Sequence, residues 1–195
     1  MMTVLGVIAD THIPDRARRL DPRIGQIFRK AGVEAILHAG DVSSEAVLQE
    51  ISQIAPVHAV RGNRDWVALR HLPFAMRLSF GEIKVALSHG HGPWWKYLIN
   101  RMDYVLRGYR LELFEPHLLA EFSDVDVIVF GHTHRPHNRW VDGRLLFNPG
   151  SPHCPEGEKN TPSVGVLRIT AGGVVSGEII SLETAREITG EIPAG

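Results

Sequence analysis

The feature that most constrains this chain is a pattern that recurs at successive strand ends: a short apolar run that stops on polar, chemistry-bearing residues. Thr3 to Ala9 is rich in β-branched residues and ends on Asp10-Thr11-His12. Ala35 to His38 closes on Ala39-Gly40-Asp41, and Pro56 to Val60 closes on Arg61-Gly62-Asn63-Arg64-Asp65. These runs are continuous, as expected of strands buried on both faces. Helical signals separate them. Asp21-Pro22 reads as an N-cap followed by proline at the first helical position, with Ile24, Ile27 and Phe28 as the apolar stripe and a stop near Gly32. Ser43 or Ser44 caps a second helix carrying Val47, Leu48 and Ile51. The order β-α-β-α-β with short connections predicts a parallel sheet.

The pattern then changes. Ala75 to Phe80 and Ile83 to Ser88 flank Gly81-Glu82, a hairpin signal, and the second run ends on Ser88-His89-Gly90-His91. Val125 to Phe130 is another continuous strand, ending on Gly131-His132-Thr133-His134. Hairpins are expected about Asp142-Gly143 and about Gly172-Gly173. Two mixed sheets packed face to face, with helices outside, would house all these strands. No repeat or linker divides the chain, so residues 1–195 are expected to form one domain. A chain of this length buries roughly 70% of its unfolded surface and needs no cross-links.

The residues at the strand ends form a set: Asp10 and His12, Asp41, Asn63, His89 with His91, then His132 and His134. Sites in α/β sheets lie outside the carboxyl ends of the strands. Asp, His and Asn without thiolate make a mixed oxygen and nitrogen donor set, suited to Mn, Fe, Co, Ni or Zn. Seven such ligands exceed what one tetrahedral zinc with an open position needs. They suffice for two ions if one carboxylate bridges, an arrangement used for in-line displacement at phosphorus.

The combination of D-x-H at 10–12, G-D at 40–41, G-N-x-D at 62–65, S-H-G-H at 88–91 and G-H-T-H at 131–134 resembles the calcineurin-like metallophosphoesterase superfamily. The N-P-G-S at 148–151 is similar to its small bacterial and archaeal phosphodiesterases. The resemblance implies an α/β fold, a four-layer αββα sandwich of two mixed sheets flanked by helices. It implies that Asp10, His12 and His134 hold one metal, that Asn63, His89 and His132 hold a second, and that Asp41 bridges them. It further implies a phosphodiesterase acting on a small phosphoester, with a metal-bridging hydroxide as nucleophile. Mn2+ is the first expectation for both ions, with Ni2+, Fe2+ and Zn2+ as alternatives. A non-catalytic scaffold of the same fold and a phosphomonoesterase or nucleotide hydrolase are the competing readings.

Two departures stand against the family pattern. Many members carry histidine after the metal-binding asparagine, and here that position is Arg64. Arginine does not deprotonate, so it serves as a phosphate clamp rather than a general acid. We therefore expect Arg64 (or Arg61) to bind the phosphate, Asn63 to act at the reaction centre, and His91 or a good leaving group to cover protonation. The second departure is the stretch at about 93–115, read as an inserted helix with Trp94, Leu98, Met102 and Val105 on one side. Packing or a homodimer contact is its expected role, ahead of a lid or membrane docking. His38 reads as a core histidine, Cys154 as incidental, and Arg135, with Arg139 and Arg144, as part of a solvated strand face, with substrate contact by Arg135 as the sharper reading.

Composition narrows the remaining classes. Net charge is −1, from 21 basic and 22 acidic residues, which gives no signal for nucleic acid. The lone Cys154 excludes an internal disulfide, and the N-terminal apolar run stops at Asp10, short of a signal peptide. No run is long enough to span a bilayer. A cytoplasmic protein is the expectation.

Overall fold

The computed structural model describes residues 2–90, 115–157 and 160–184. The stretch expected to form the inserted helix, together with His91, lies almost entirely outside these residues. So does any dimer contact it would make.

Ten strands form two five-stranded mixed sheets. The first sheet contains β1 (Met2–Ile8), β2 (Ala35–His38), β3 (Val57–Ala59), β9 (Ser163–Thr170) and β10 (Val175–Ser181), in the order β10-β9-β1-β2-β3. Its β1, β2 and β3 are parallel, with Leu5 opposite Ala35 and Ile36 opposite Val57. β9 and β10 add an antiparallel flank. The second sheet contains β4 (Ala75–Phe80), β5 (Ile83–Ser88), β6 (Val127–Val129), β7 (His137–Val141) and β8 (Arg144–Asn148), in the order β4-β5-β6-β8-β7. There β5, β6 and β8 are parallel, and hairpin partners β4 and β7 close the two edges.

Strand periodicity assigns the layers. In β1, Leu5 and Val7 point into the space between the sheets, where they meet Val85, Leu87, Val127 and Phe147. Val4 and Ile8 point the other way, into a layer shared with Ile24 and Phe28 of α1 (Pro22–Ala31) and with Val47 and Ile51 of α2 (Glu45–Ser52). Outside the second sheet, Ala86, Ile128 and Leu146 pack on Leu118 of α3 (Glu115–Glu121) and on the following Phe122. The αββα sandwich is thus observed. Close approach between sheets is set by Phe147, since a methyl group at Gly165 would lie 2.4 Å from its ring.

Local signals behave as expected in α1. Asp21 accepts from the Arg23 backbone N–H at 3.0 Å, and Gly32 takes a left-handed φ of 69° after the last turn. At α2 the capping residue is Ser44, whose side chain makes no capping bond, while Ser43 Oγ donates to Asp15 instead. Among the described residues, no helix is long and apolar enough to cross a membrane.

Candidate metal centre

The parallel strands of each sheet end on the same rim, and their terminal loops bring the predicted residues together. Asp10 and His12 follow β1, Asp41 follows β2 and Asn63 follows β3. His89 follows β5, and His132 and His134 follow β6. Five of the seven, Asp10, His12, Asp41, His132 and His134, adopt left-handed backbone with φ between 50° and 70°. For residues with a Cβ this conformation costs about 1–2 kcal/mol each, so the surrounding packing holds the site in shape against local preference.

Two clusters result. Asp10, His12 and His134 present ligand atoms within 4.8 Å of one another, and so do Asp10, Asp41 and His89. His12 Nε2 and His134 Nε2 approach to 3.1 Å. Asn63 Oδ1 lies 3.1 Å from both His89 Nε2 and His132 Nδ1. Asp41 sits between the groups, with Oδ2 3.7 Å from His12 Nε2 and Oδ1 3.5 Å from His89 Nε2.

Tautomers follow from the outer partners. His89 Nδ1 is 2.8 Å from the Ala39 carbonyl, and His134 Nδ1 is 2.8 Å from the Cys154 carbonyl. A carbonyl only accepts, so both Nδ1 atoms carry the proton and both Nε2 lone pairs face the cluster. His89 Nε2 and Asn63 Oδ1 are then two acceptors aimed at each other. Such a set fits a divalent cation of the oxygen- and nitrogen-preferring class.

The electrostatics agree. Burial, then the neighbouring Asp41 charge, pushes the Asp10 carboxyl well above its ordinary value. Burial, reinforced by His134, holds His12 down to about 3, and burial holds His38 at about 4. Both folded values lie below the ordinary 6.5 of histidine, so the native state favours the neutral ring. That stabilisation is complete above pH 6.5 and is lost as pH falls toward 4 and then 3. The urea midpoint of metal-stripped protein should therefore fall steeply below pH 6.5, and His38→Gln should flatten the fall. A midpoint constant from pH 7 to 4 would contradict this.

Several residues of the sequence motifs support the ligands without joining them, and their partners become visible only in the fold. Asp65 is fully buried and accepts from Gly62 N–H at 2.7 Å, Ser43 N–H at 2.8 Å and Val42 N–H at 3.3 Å. It ties the β2 and β3 loops together. A Cβ on Gly62 would lie 2.2 Å from Asp41 Oδ1, so only glycine lets that carboxylate seat. The N-P-G-S turn serves the last motif: Asn148 Nδ2 donates to the Gly131 carbonyl at 2.9 Å, and Ser151 Oγ donates to the Asp10 carbonyl at 2.8 Å. His38 is buried against Thr11 Oγ1.

The two arginines around Asn63 have different fates. Arg61 lies over the Phe74 ring, 3.6 Å from its centroid, and donates to the Arg70 carbonyl at 3.1 Å. Arg64 donates its backbone N–H to Asp41 Oδ1 at 2.8 Å. Its guanidinium is 40% exposed and stands 3.6 Å from Asp15. Both Arg64 and Arg16 press on His12 electrostatically.

Comparison with known proteins places this geometry in a family. A calcineurin-like phosphoesterase superfamily model matches residues 2–172. A probable metallophosphoesterase of Methanothermobacter thermautotrophicus is 39% identical over 178 residues, covering 91% of each chain. Among solved structures, an archaeal phosphodiesterase aligns with a TM-score of 0.61 at 24% identity, covering 91% of this chain and all of its own. Vps29 of Entamoeba histolytica in complex with Zn2+ aligns with a TM-score of 0.64 at 22% identity, over 91% of this chain and 98% of its own. With the matched region taking in every strand-end motif, the chain belongs to the calcineurin-like phosphoesterase superfamily.

Proposed function

We propose that this protein is a metal-dependent phosphodiesterase with a dinuclear centre. Asp10, His12 and His134 hold one divalent ion, Asn63, His89 and His132 hold the other, and Asp41 bridges them. The observation that carries this reading is Asp41, whose two oxygens face opposite clusters at 3.7 and 3.5 Å. When bound, the ions supply Lewis acidity, lowering the pKa of a water and neutralising phosphoryl charge. Mn2+ is the working ion, and Ni2+, Fe2+ and Zn2+ suit the same donors.

The chain's own residues do the rest. Asn63 contributes a neutral oxygen, so it adds no negative charge where a phosphate must bind. Arg64 follows it on the same turn, and its exposed pair with Asp15 is weak enough to exchange for phosphate oxygens. Its planar fork binds two such oxygens at once. It cannot supply a proton, so esters with good leaving groups are the favoured substrates unless His91 acts as the acid. Diester preference is supported by the archaeal fold neighbour, itself a phosphodiesterase. A scaffold role is the second reading, favoured by Arg64 in the position of the usual histidine.

Metal-stripped protein given back Mn2+, Ni2+, Zn2+ or Mg2+ is to be assayed on a chromogenic phosphodiester and its monoester partner. Diester turnover restored by Mn2+ or Ni2+ is expected. Failure with every metal, in folded protein, transfers the assignment to the scaffold. In the active protein, Arg64→Ala should lower kcat/KM about 10- to 100-fold, the range for a hydrogen bond to a charged group. An unchanged kcat/KM would sink the clamp.

A further inference from the structure

We propose that Arg16 adds, beside the Arg64 clamp, a subsite for a second phosphoryl group, so that the substrate is a diphosphate-bridged ester cleaved at its P–O–P linkage. The inference rests on the phosphoesterase reading above and adds a substrate class to it.

Both arginines belong to loops that carry predicted metal ligands. The His12 carbonyl accepts from the Arg16 N–H at 2.7 Å and from the Ala17 N–H at 3.4 Å, so the backbone of Arg16 is folded back onto that ligand. Arg64 follows Asn63, and its N–H donates to Asp41 Oδ1 at 2.8 Å. The two loops meet at Asp15, whose Oδ2 lies 3.6 Å from Arg64 Nη1 and accepts from Ser43 Oγ at 3.2 Å. The side chains converge as well. The Arg16 guanidinium reaches the Cys154 thiol, and the charges of Arg16 and Arg64 both bear on His12 and on Cys154. Cys154 supports the first ligand cluster. Its carbonyl lies 2.8 Å from His134 Nδ1, and its N–H donates at 2.9 Å to Ser151 Oγ, which donates to the Asp10 carbonyl at 2.8 Å. Two guanidinium groups therefore stand beside the cluster of Asp10, His12 and His134.

Both residues are exposed, so an anion can reach them. Among the described residues Arg16 enters no ion pair, and a thiol brings it no countercharge at neutral pH. Arg64 pairs with Asp15, an exposed contact that exchanges readily for phosphate oxygens. One planar fork already serves the phosphoryl group under attack, and a second fork beside it matches a second phosphate. The leaving group points the same way. Neither arginine donates a proton, so an alkoxide would have to depart unaided. A phosphate departs without protonation at neutral pH, its last pKa being about 6, and Arg16 stabilises the charge that gathers on it. In the cleavage a water oxygen bonds to one phosphorus and the bridging P–O bond breaks. The bridge oxygen keeps the electron pair on the second phosphate. A dianionic diester and water thus yield two phosphate monoester dianions, and both water protons pass to solvent.

The test is calorimetric binding of two ligands to Mn2+-loaded protein. Phenyl methylphosphonate carries one phosphorus, and P1,P2-diphenyl methylenediphosphonate is the carbon-bridged, uncleavable form of a diphosphate diester. The second should bind at least about tenfold more tightly, and Arg16→Ala should weaken it about 10- to 100-fold, the range for hydrogen bonds to a charged group. The loss for the one-phosphorus ligand should be at least about tenfold smaller, so the ratio of the two cancels general damage to the metal centre. Arg16→Lys should keep part of the preference, as a point charge without the fork. Arg19→Ala, an exposed arginine on the same loop, should change neither Kd. In turnover, P1,P2-diphenyl diphosphate should give phenyl phosphate with a higher kcat/KM than diphenyl phosphate, by phosphorus NMR. Equal losses for both ligands in Arg16→Ala, or a preference that survives it, would overturn the subsite. So would a protein that hydrolyses bis(4-nitrophenyl) phosphate yet binds the two phosphonates equally, and the phosphoesterase reading would then stand. No turnover of any ester and no binding of either phosphonate would overturn that reading and the subsite with it.

Discussion

Asp41→Asn is expected to lose hydrolysis by a factor on the order of 10³ in kcat/KM, several kcal/mol of transition-state stabilisation. The same variant should be no less stable than wild type once metal is stripped. Asparagine keeps an acceptor for the Arg64 N–H, now 2.8 Å from Asp41 Oδ1. What it removes is a negative charge facing Asp10, whose carboxyl is already pushed up by burial and then by Asp41. With excess Mn2+ the order should reverse. A ligand at 100 times its Kd stabilises the native state by about 2.7 kcal/mol, and the variant forgoes much of that. Thermal melts with and without Mn2+, beside a count of bound ions, decide the matter. A variant that still binds two ions would remove Asp41 from the bridging position. One clearly less stable than wild type without metal would show that the two carboxylates do not oppose each other.

Asp65→Ala is the second large effect, and it acts without touching an ion. Three backbone N–H groups, from buried Val42 and Gly62 and half-buried Ser43, lose their common acceptor. Leaving such donors unpaired around a deleted buried charge costs about 3–5 kcal/mol. The cost falls on the two loops that present Asp41 and Asn63, so metal affinity should drop about 10- to 100-fold, as for other groups that orient ligands. Asp65→Asn should recover only part of this, because one of its two acceptor positions becomes a donor facing N–H groups. Urea midpoints and metal Kd values are the readouts. A variant within about 0.5 kcal/mol of wild type, the range of an inconsequential surface change, would show that the loops hold their shape without Asp65.

Much of the site could be read before any coordinates. The β-α-β-α-β order, the hairpin turns and the polar residues closing each apolar run depend on near neighbours, and they appear where the pattern put them. The Asp21 cap and the Gly32 stop are of this kind, since each needs only the residues of its own turn. At α2 the local pattern allowed Ser43 or Ser44, and the choice came from elsewhere: Ser43 Oγ is taken by Asp15, which lies 28 positions away.

The identities of the strand-end residues, and the chemistry such a donor set permits, were determined by the sequence by itself. The tertiary structure alone decided which atoms face the centre. His134 presents Nε2 because the Cys154 carbonyl, 20 positions on, holds its other nitrogen. Arg61 and Arg64 look equivalent in the chain, yet Phe74 draws Arg61 onto its ring while the Arg64 side chain stays partly exposed beside Asp15. Asp65 resembles a turn residue until the β2 and β3 loops bring three N–H groups to it. Periodicity and turn chemistry are short-range and leave their mark on adjacent residues. Ring orientation, tautomer and the pairing of buried charges depend on contacts closed across many residues, and only packing of the two sheets against each other sets them.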